Sequence, residues 1–202
     1  RRDGKDWKYL STEDIVEQSL KMAAGLLELG VQSGDKIAIA SYKNRPEWVI
    51  ADLAIQQIGA ISVPMYPTIS SREYEYILND ATVKYAFVGS GDLYDKLSTA
   101  QPAVPSLKGI YTFDVQEGKP FWETIWNEDR IEEVKAISEA IQPEELVTII
   151  YTSGTTGAPK GVMLTHSNIV FMTYVTTEHM TMLLPEEQVL SFLPLCHIFE
   201  RA

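Results

Sequence analysis

The chain has 202 residues, 45% hydrophobic and 22% charged, which suits a globular protein with a buried core and allows one large domain or two small ones. Its 17 basic and 28 acidic residues give a formal net charge of -11, so long-range electrostatics repel nucleic acid and anionic membrane, and any bound phosphate must be held locally. Cys196 is the single cysteine, and His166, His179 and His197 are scattered; this excludes an internal disulfide framework and a zinc-ligand spacing, and fits a reducing cytoplasm.

The charged opening RRDGKDWKYL is followed by no apolar segment, and no stretch reaches the roughly 18 apolar residues of a membrane-spanning helix, so neither secretion nor spanning is expected. The chain starts at Arg1 and stops after the apolar LPLCHIFERA, which reads as a piece of something longer. Ser11 and Asp14 form a capping box for a first helix, with Val16, Leu20, Ala23, Ala24 and Leu27 at helical spacing until Gly30. A turn at Ser33 to Asp35 leads into a strand over Lys36 to Ala40. Asn44 and Glu47 are read as caps of a second helix with Pro46 in its first turn, Ile50, Leu53, Ala54 and Ile58 on its buried face, and Gly59 at its end. Ala60 to Val63 make the next strand, after which Pro64 and Pro67 impose a loop.

Ser70 and Glu73 cap a third helix carrying Tyr74, Ile77, Leu78 and Ala81 on one face, followed by a strand over Tyr85 to Val88 and a turn at Gly89 to Asp92. A short helix and a proline-bearing connection are expected over Leu93 to Ser106, a strand over Gly109 to Phe113, and an acidic helix over Asp129 to Ala140. The strand Leu146 to Ile150 then delivers a glycine loop, Gly161 to Leu164 returns as a hairpin partner, and Thr165 or Ser167 caps a helix running toward Met182. A last strand is expected over Val189 to Leu193. Strands separated by helices of this length predict an α/β fold, a mainly parallel sheet flanked by helices, because parallel neighbours need such crossovers. Ligands of such sheets sit beyond the carboxyl ends of strands, where the glycine loop falls.

That loop, YTSGTTGAPKG over Tyr151 to Gly161, has the composition of a phosphate cradle. Gly154 and Gly157 let backbone N–H groups turn toward an anion, Thr152, Ser153, Thr155 and Thr156 add hydroxyls, and Lys160 supplies a point charge. An ordinary surface turn accounts for the glycines but not for four hydroxyls and a lysine on an apolar strand. The Walker A loop needs lysine directly after its second glycine, followed by a hydroxyl; here Lys160 lies three residues beyond Gly157 and Gly161 follows it.

The run YTSGTTGAPKGV resembles, residue for residue, the phosphate-binding signature of the adenylate-forming superfamily, which includes acyl-CoA synthetases, luciferases and the adenylation domains of peptide synthetases. GVQSGDKIAIAS, NRPEWVIADLAIQQIGAISVPMYPT and QPEELVTIIYTSG are similar to the opening subdomains of such enzymes, so the resemblance spans nearly the whole chain and roughly the first third of such an enzyme. FLPLCHIFERA is similar to a segment of long-chain fatty acyl-CoA synthetases.

The resemblance implies the N-terminal part of an acyl-CoA synthetase large domain. It implies ATP-dependent activation of a long-chain fatty acid to an acyl-adenylate and then, with coenzyme A, to acyl-CoA. Thr152, Ser153, Gly154, Thr155, Thr156, Gly157 and Lys160 would hold the ATP phosphates, with Lys160 also catalytic; the Thr152 hydroxyl would approach a magnesium ion; and His197 would face the acyl channel and the reacting carboxylate. Taken alone, an apolar-flanked His197 equally suits a packed core, Cys196 reads as buried filler, and Glu200 and Arg201 as a surface ion pair. The family's later adenylate-site, hinge and lysine elements have no match here, so this chain alone is expected to be inactive. Two other readings are a nucleotide-binding module without catalysis and an adenylating ligase for an aryl or amino acid. Peripheral membrane contact is left open.

Overall fold

The computed structural model of the chain describes residues 2–3, 6–7, 9–152, 157–179, 191 and 193–197. A two-residue antiparallel pair, β1 (Arg2–Asp3) and β2 (Asp6–Trp7), stands apart from the main sheet. The remaining elements are α1 (Thr12–Glu28), β3 (Lys36–Ala40), α2 (Pro46–Gln57), β4 (Ile61–Met65), α3 (Ser71–Asp80), β5 (Val83–Val88), α4 (Gly91–Ala100), β6 (Gly109–Thr112), α5 (Ile131–Ala140), β7 (Leu146–Thr152), β8 (Lys160–Thr165) and α6 (His166–His179). Six strands form one sheet in the order β6-β5-β3-β4-β7-β8. Every pair is parallel except the β7–β8 hairpin, so the expected mainly parallel α/β sheet is the architecture observed.

The sheet is covered on both faces, and β3 at its centre is built for that. Ile37 and Ile39 face α1, α2 and α5 together with Tyr85, Phe87 and Trp48. Ala38 and Ala40 face the opposite layer, where Tyr74, Ile77 and Leu78 of α3 and Leu93 and Leu97 of α4 pack on Val83, Ala86 and Val88. Alternation of side chains along a strand delivers one set to each layer.

The two predicted capping boxes are present. Ser11 Oγ accepts from the Asp14 N–H at 3.1 Å while Asp14 accepts from the Ser11 N–H at 2.8 Å, and Ser70 and Glu73 repeat the arrangement. The buried stripe of α1 is displaced from the expected one: Met22 and Leu26 join Ala23, Ala24 and Leu27 in the core, and Val16 stays 46% exposed. Close packing at Gly25 accounts for this, since a Cβ there would lie 1.9 Å from the Ile125 carbonyl oxygen. That carbonyl belongs to a short 3-10 turn, Trp122–Ile125, which the sequence pattern did not announce.

Three expectations are corrected. Asn44 is not the cap of α2: Arg45 occupies that position with no side-chain capping bond, and Asn44 reaches across to residues 191 and 193. Glu47 does not cap either; it is buried against the Arg45 guanidinium at 2.9 Å. Pro64 does not begin a loop but lies inside β4, opposite Ile39 of β3. The strand expected over Val189 to Leu193 lies mostly outside the described residues, although Ser191 and Leu193 are described and are not in a strand. The expected continuation of α6 to Met182 also lies outside them.

Pro64 shapes the top of the sheet. Proline has no N–H to give to a ladder, and the pairing of β4 with β7 is reduced to Ser62 opposite Thr148. Side chains reinforce that one point, with Thr148 Oγ1 donating to the Ser62 carbonyl at 2.9 Å and Ser62 Oγ to the Val147 carbonyl at 3.3 Å. Beyond it the connections diverge: the chain leaves β4 through α3 toward β5, and leaves β7 in the other direction into β8.

A topological switch point lies between β3 and β5, which are adjacent but feed α2 and α4 on opposite faces. Doubly wound sheets commonly place ligands in such a crevice. Here Arg45 fills it. Its guanidinium makes a two-pronged contact with Asp114 (2.7 and 3.1 Å), donates to the Gly89 carbonyl at 3.0 Å and lies 5.3 Å from the Phe113 ring centre. Replacing Arg45 with alanine leaves Glu47 buried without its cation and is expected to cost about 3 kcal/mol. Urea unfolding at neutral pH checks this, and a loss below about 1 kcal/mol would mean that the cluster is a surface ornament.

Candidate functional site

A cavity of about 490 Å³ opens at the carboxyl ends of β4 and β7. Its walls come from Pro64, Met65 and Tyr66 of β4 and the following loop, from Glu73 and Ile77 of α3, from Ile150, Tyr151 and Thr152 of β7, from Pro159, and from Cys196 and His197. The two ends of the glycine loop and the histidine from the far end of the chain therefore share one cavity.

The hairpin places the loop there. Tyr151 pairs with Gly161 and Thr152 with Lys160 in antiparallel register, so the loop springs from the top of β7 and returns directly beside it. Gly161 is required by close packing, since a Cβ would meet Ile149 Cγ2 at 2.7 Å and the Tyr151 ring at 3.1 Å. Tyr151 is buried, and its hydroxyl donates to Asp80 at 2.5 Å, tying the strand that carries the loop to the end of α3. Burial first, and then the Asp80 carboxylate, push the Tyr151 phenol well above its ordinary range, so it stays a proton donor.

Thr152 and Lys160 are exposed, and Gly157 is exposed with φ +113, a conformation that favours glycine. Lys160 follows the cavity-lining Pro159 and stands opposite Thr152. The expected phosphate donors Ser153, Gly154, Thr155 and Thr156 lie outside the described residues. Among the described residues no cluster of three His, Cys, Asp or Glu side chains could hold a metal ion.

His197 is exposed rather than packed in the core, and its N–H donates to the Pro194 carbonyl at 2.8 Å. Its neighbour Cys196 is buried, 5% exposed, against Tyr66. Tyr66 is held in turn, because the Tyr74 hydroxyl donates to its carbonyl at 2.9 Å. Burial pushes the Cys196 thiol up to about 11, which fits the reading of this residue as apolar filler. Glu73 also borders the cavity, but its carboxylate is engaged by the Ser70 N–H and hydroxyl, which hold it below its usual range. Sequence reasoning missed the places of Asp80 and Pro64 here; a proline inside an apolar strand-like run was the one available signal.

A larger cleft, about 780 Å³, lies between α2, the end of α5 and α6, lined by Leu53, Ile141, Val170, Phe171 and Tyr174 among others. It touches neither end of the glycine loop nor His197, so size does not make it the site. No helix among the described residues is long and apolar enough to cross a membrane.

The family described as AMP-binding enzyme matches residues 2–202. A fatty acyl-CoA synthetase of Dictyostelium discoideum is 32% identical over 99% of this chain and 31% of its own length. A long-chain-fatty-acid CoA ligase of Mycobacterium bovis is 33% identical over 97% of this chain and 33% of its own. The chain thus spans about a third of the length of these curated relatives. Among solved structures, a long-chain-fatty-acid CoA ligase of Archaeoglobus fulgidus superposes with a TM-score of 0.76 at 24% identity, covering 100% of this chain and 39% of that one, a likeness of fold.

The weak acidity of Cys196 has a direct chemical reading. Iodoacetamide labelling of this single cysteine should be slow near neutral pH and keep rising past about pH 10, where an ordinary exposed thiol of pKa about 8.5 has levelled off. A plateau at the ordinary value would show that the residue is not buried.

Proposed function

The chain belongs to the AMP-binding enzyme family, and on that premise we propose that it carries the triphosphate-gripping part of an ATP-dependent long-chain fatty acid CoA ligase. The observation that supports this reading is the shared cavity: Thr152 and Pro159, which flank the glycine loop, line the same space as His197. A nucleoside triphosphate tail held by the loop and a carboxylate near His197 would then meet in one place.

In the first step a carboxylate oxygen of the fatty acid attacks the α-phosphorus of ATP, the bond to the bridging oxygen breaks, and pyrophosphate leaves with the electron pair. Negative charge grows on that leaving group. Lys160, the Thr152 hydroxyl and the backbone around Gly157 stabilise it where it grows, as preorganised donors do in other phosphoryl transfers. Removing Lys160 therefore lowers turnover more than it weakens binding. Magnesium arriving with ATP as substrate would neutralise phosphate charge, with Thr152 the protein oxygen in reach.

In the second step the thiol of coenzyme A attacks the acyl carbon and AMP departs. Cys196 does not compete as acceptor, because its thiol is buried and held protonated at neutral pH. The single cysteine suits a reducing, cytoplasmic setting. Since the chain spans about a third of its curated relatives, it is proposed to grip nucleotide but to give no fatty-acid-dependent pyrophosphate exchange by itself.

Calorimetric titration of the chain with magnesium-ATP tests the loop assignment. Lys160→Ala is expected to bind about ten-fold more weakly, the worth of one charge-assisted hydrogen bond. Equal affinity for the two proteins, or no binding to either, contradicts it.

A further inference from the structure

The sequence pattern offers Asn44 as a helix cap, yet its side chain is spent elsewhere. Asn44 Nδ2 donates to Ser191 Oγ at 2.7 Å and to the Leu193 carbonyl at 2.7 Å, bridging residues 147 and 149 positions apart in the chain. The base of this contact is rigid. Arg45, next in sequence, is fixed by Asp114, Glu47 and the Gly89 carbonyl, and Pro46 restricts the backbone that follows.

The segment that Asn44 grips runs along the surface before it turns inward. Ser191 and Pro194 are exposed, Leu193 and Leu195 are partly buried, and Cys196 is the one residue of the described part that is buried. Leu195 packs against the α1–α2 layer. Cys196 then presses on Tyr66, and His197 emerges exposed at the cavity. Asn44 therefore holds one end of a short strap, and the cavity-lining pair Cys196 and His197 lies at the other.

We propose that Asn44 is a positioning residue: its two hydrogen bonds clamp the strap to the top of the sheet and thereby set Cys196 and His197 in the wall of the cavity. The donor is what matters, because the Leu193 carbonyl can only accept. An aspartate of the same shape loses that bond and places a carboxylate beside a carbonyl oxygen. The importance of the clamp for substrate rests on the fatty acid reading above, but its existence does not, and the chain provides a readout that needs no ligand.

That readout is the single cysteine. In Asn44→Asp the strap opens more often, and Cys196 should react with an aromatic disulfide reagent about ten-fold faster, the change expected when the bond to the Leu193 carbonyl is lost and a carboxylate faces that oxygen. Ser191→Ala removes the other bond and should give a smaller acceleration. Adding Ser191→Ala to Asn44→Ala, which removes both bonds, should add nothing beyond Asn44→Ala alone, because the two act through one contact. The imidazole proton resonance of His197, assigned by loss in His197→Gln, should move in Asn44→Asp while that of His166 stays fixed, which separates release of the strap from general unfolding. An unchanged thiol rate in Asn44→Asp, additive rates in the double variant, or equal movement of the His166 and His197 resonances would each overturn the proposal. Failure of the chain to bind ATP would leave all three measurements readable.

Discussion

A proline in a central strand interrupts the hydrogen-bond ladder beside the cavity that both ends of the glycine loop share. Pro64 pairs with β3 on one side, and the ladder on its other side is reduced to Ser62 opposite Thr148. The two strands are stitched at that point by a pair of side-chain hydrogen bonds, and above it their connections run in opposite directions along the sheet. At that end of the sheet the loop ends, Tyr66 and His197 border one cavity.

The other crevice at the same edge of the sheet is closed by chemistry of equal specificity. Arg45 sits where β3 and β5 send their helices to opposite faces, and it satisfies two carboxylates and a backbone carbonyl there. Planar, five-donor guanidinium is suited to such a junction, where a lysine could reach one acceptor but not three. The consequence is selective: Arg45 seals the crevice between β3 and β5, while a cavity stays open beside the ends of the glycine loop. Sealing also makes the β3–α2 connection stiff enough to serve as an anchor for the strap that ends in His197.

Much of this was legible from residues alone, and the failures are instructive. The capping boxes at Ser11 and Ser70, the strand Lys36–Ala40 and the β7–β8 hairpin follow from local rules of spacing and hydrogen bonding, and they appear as expected. The glycine loop stood out because its chemistry is contiguous in sequence. Pro64 was misread because the rule that proline avoids central strands assumes that both neighbours pair fully, and here one does not. Asn44 was misread because asparagine before a helix is ordinarily a cap, whereas its partners lie far along the chain. Glu47 likewise looked like a capping residue, and a buried ion pair took precedence. In each case a long-range partner outweighed a local preference.

The central claim is one of location: triphosphate is bound at the carboxyl ends of β4 and β7. Nitrogen-15 resonance shifts during titration with magnesium-ATP locate it directly. The claim requires the largest shifts at the amides of Thr152, Gly157, Lys160 and Gly161, with Met65 and Tyr66 following. Shifts concentrated instead at Leu53, Val170 and Tyr174, in the larger apolar cleft, or at Arg45 and Gly89, in the sealed crevice, would contradict it.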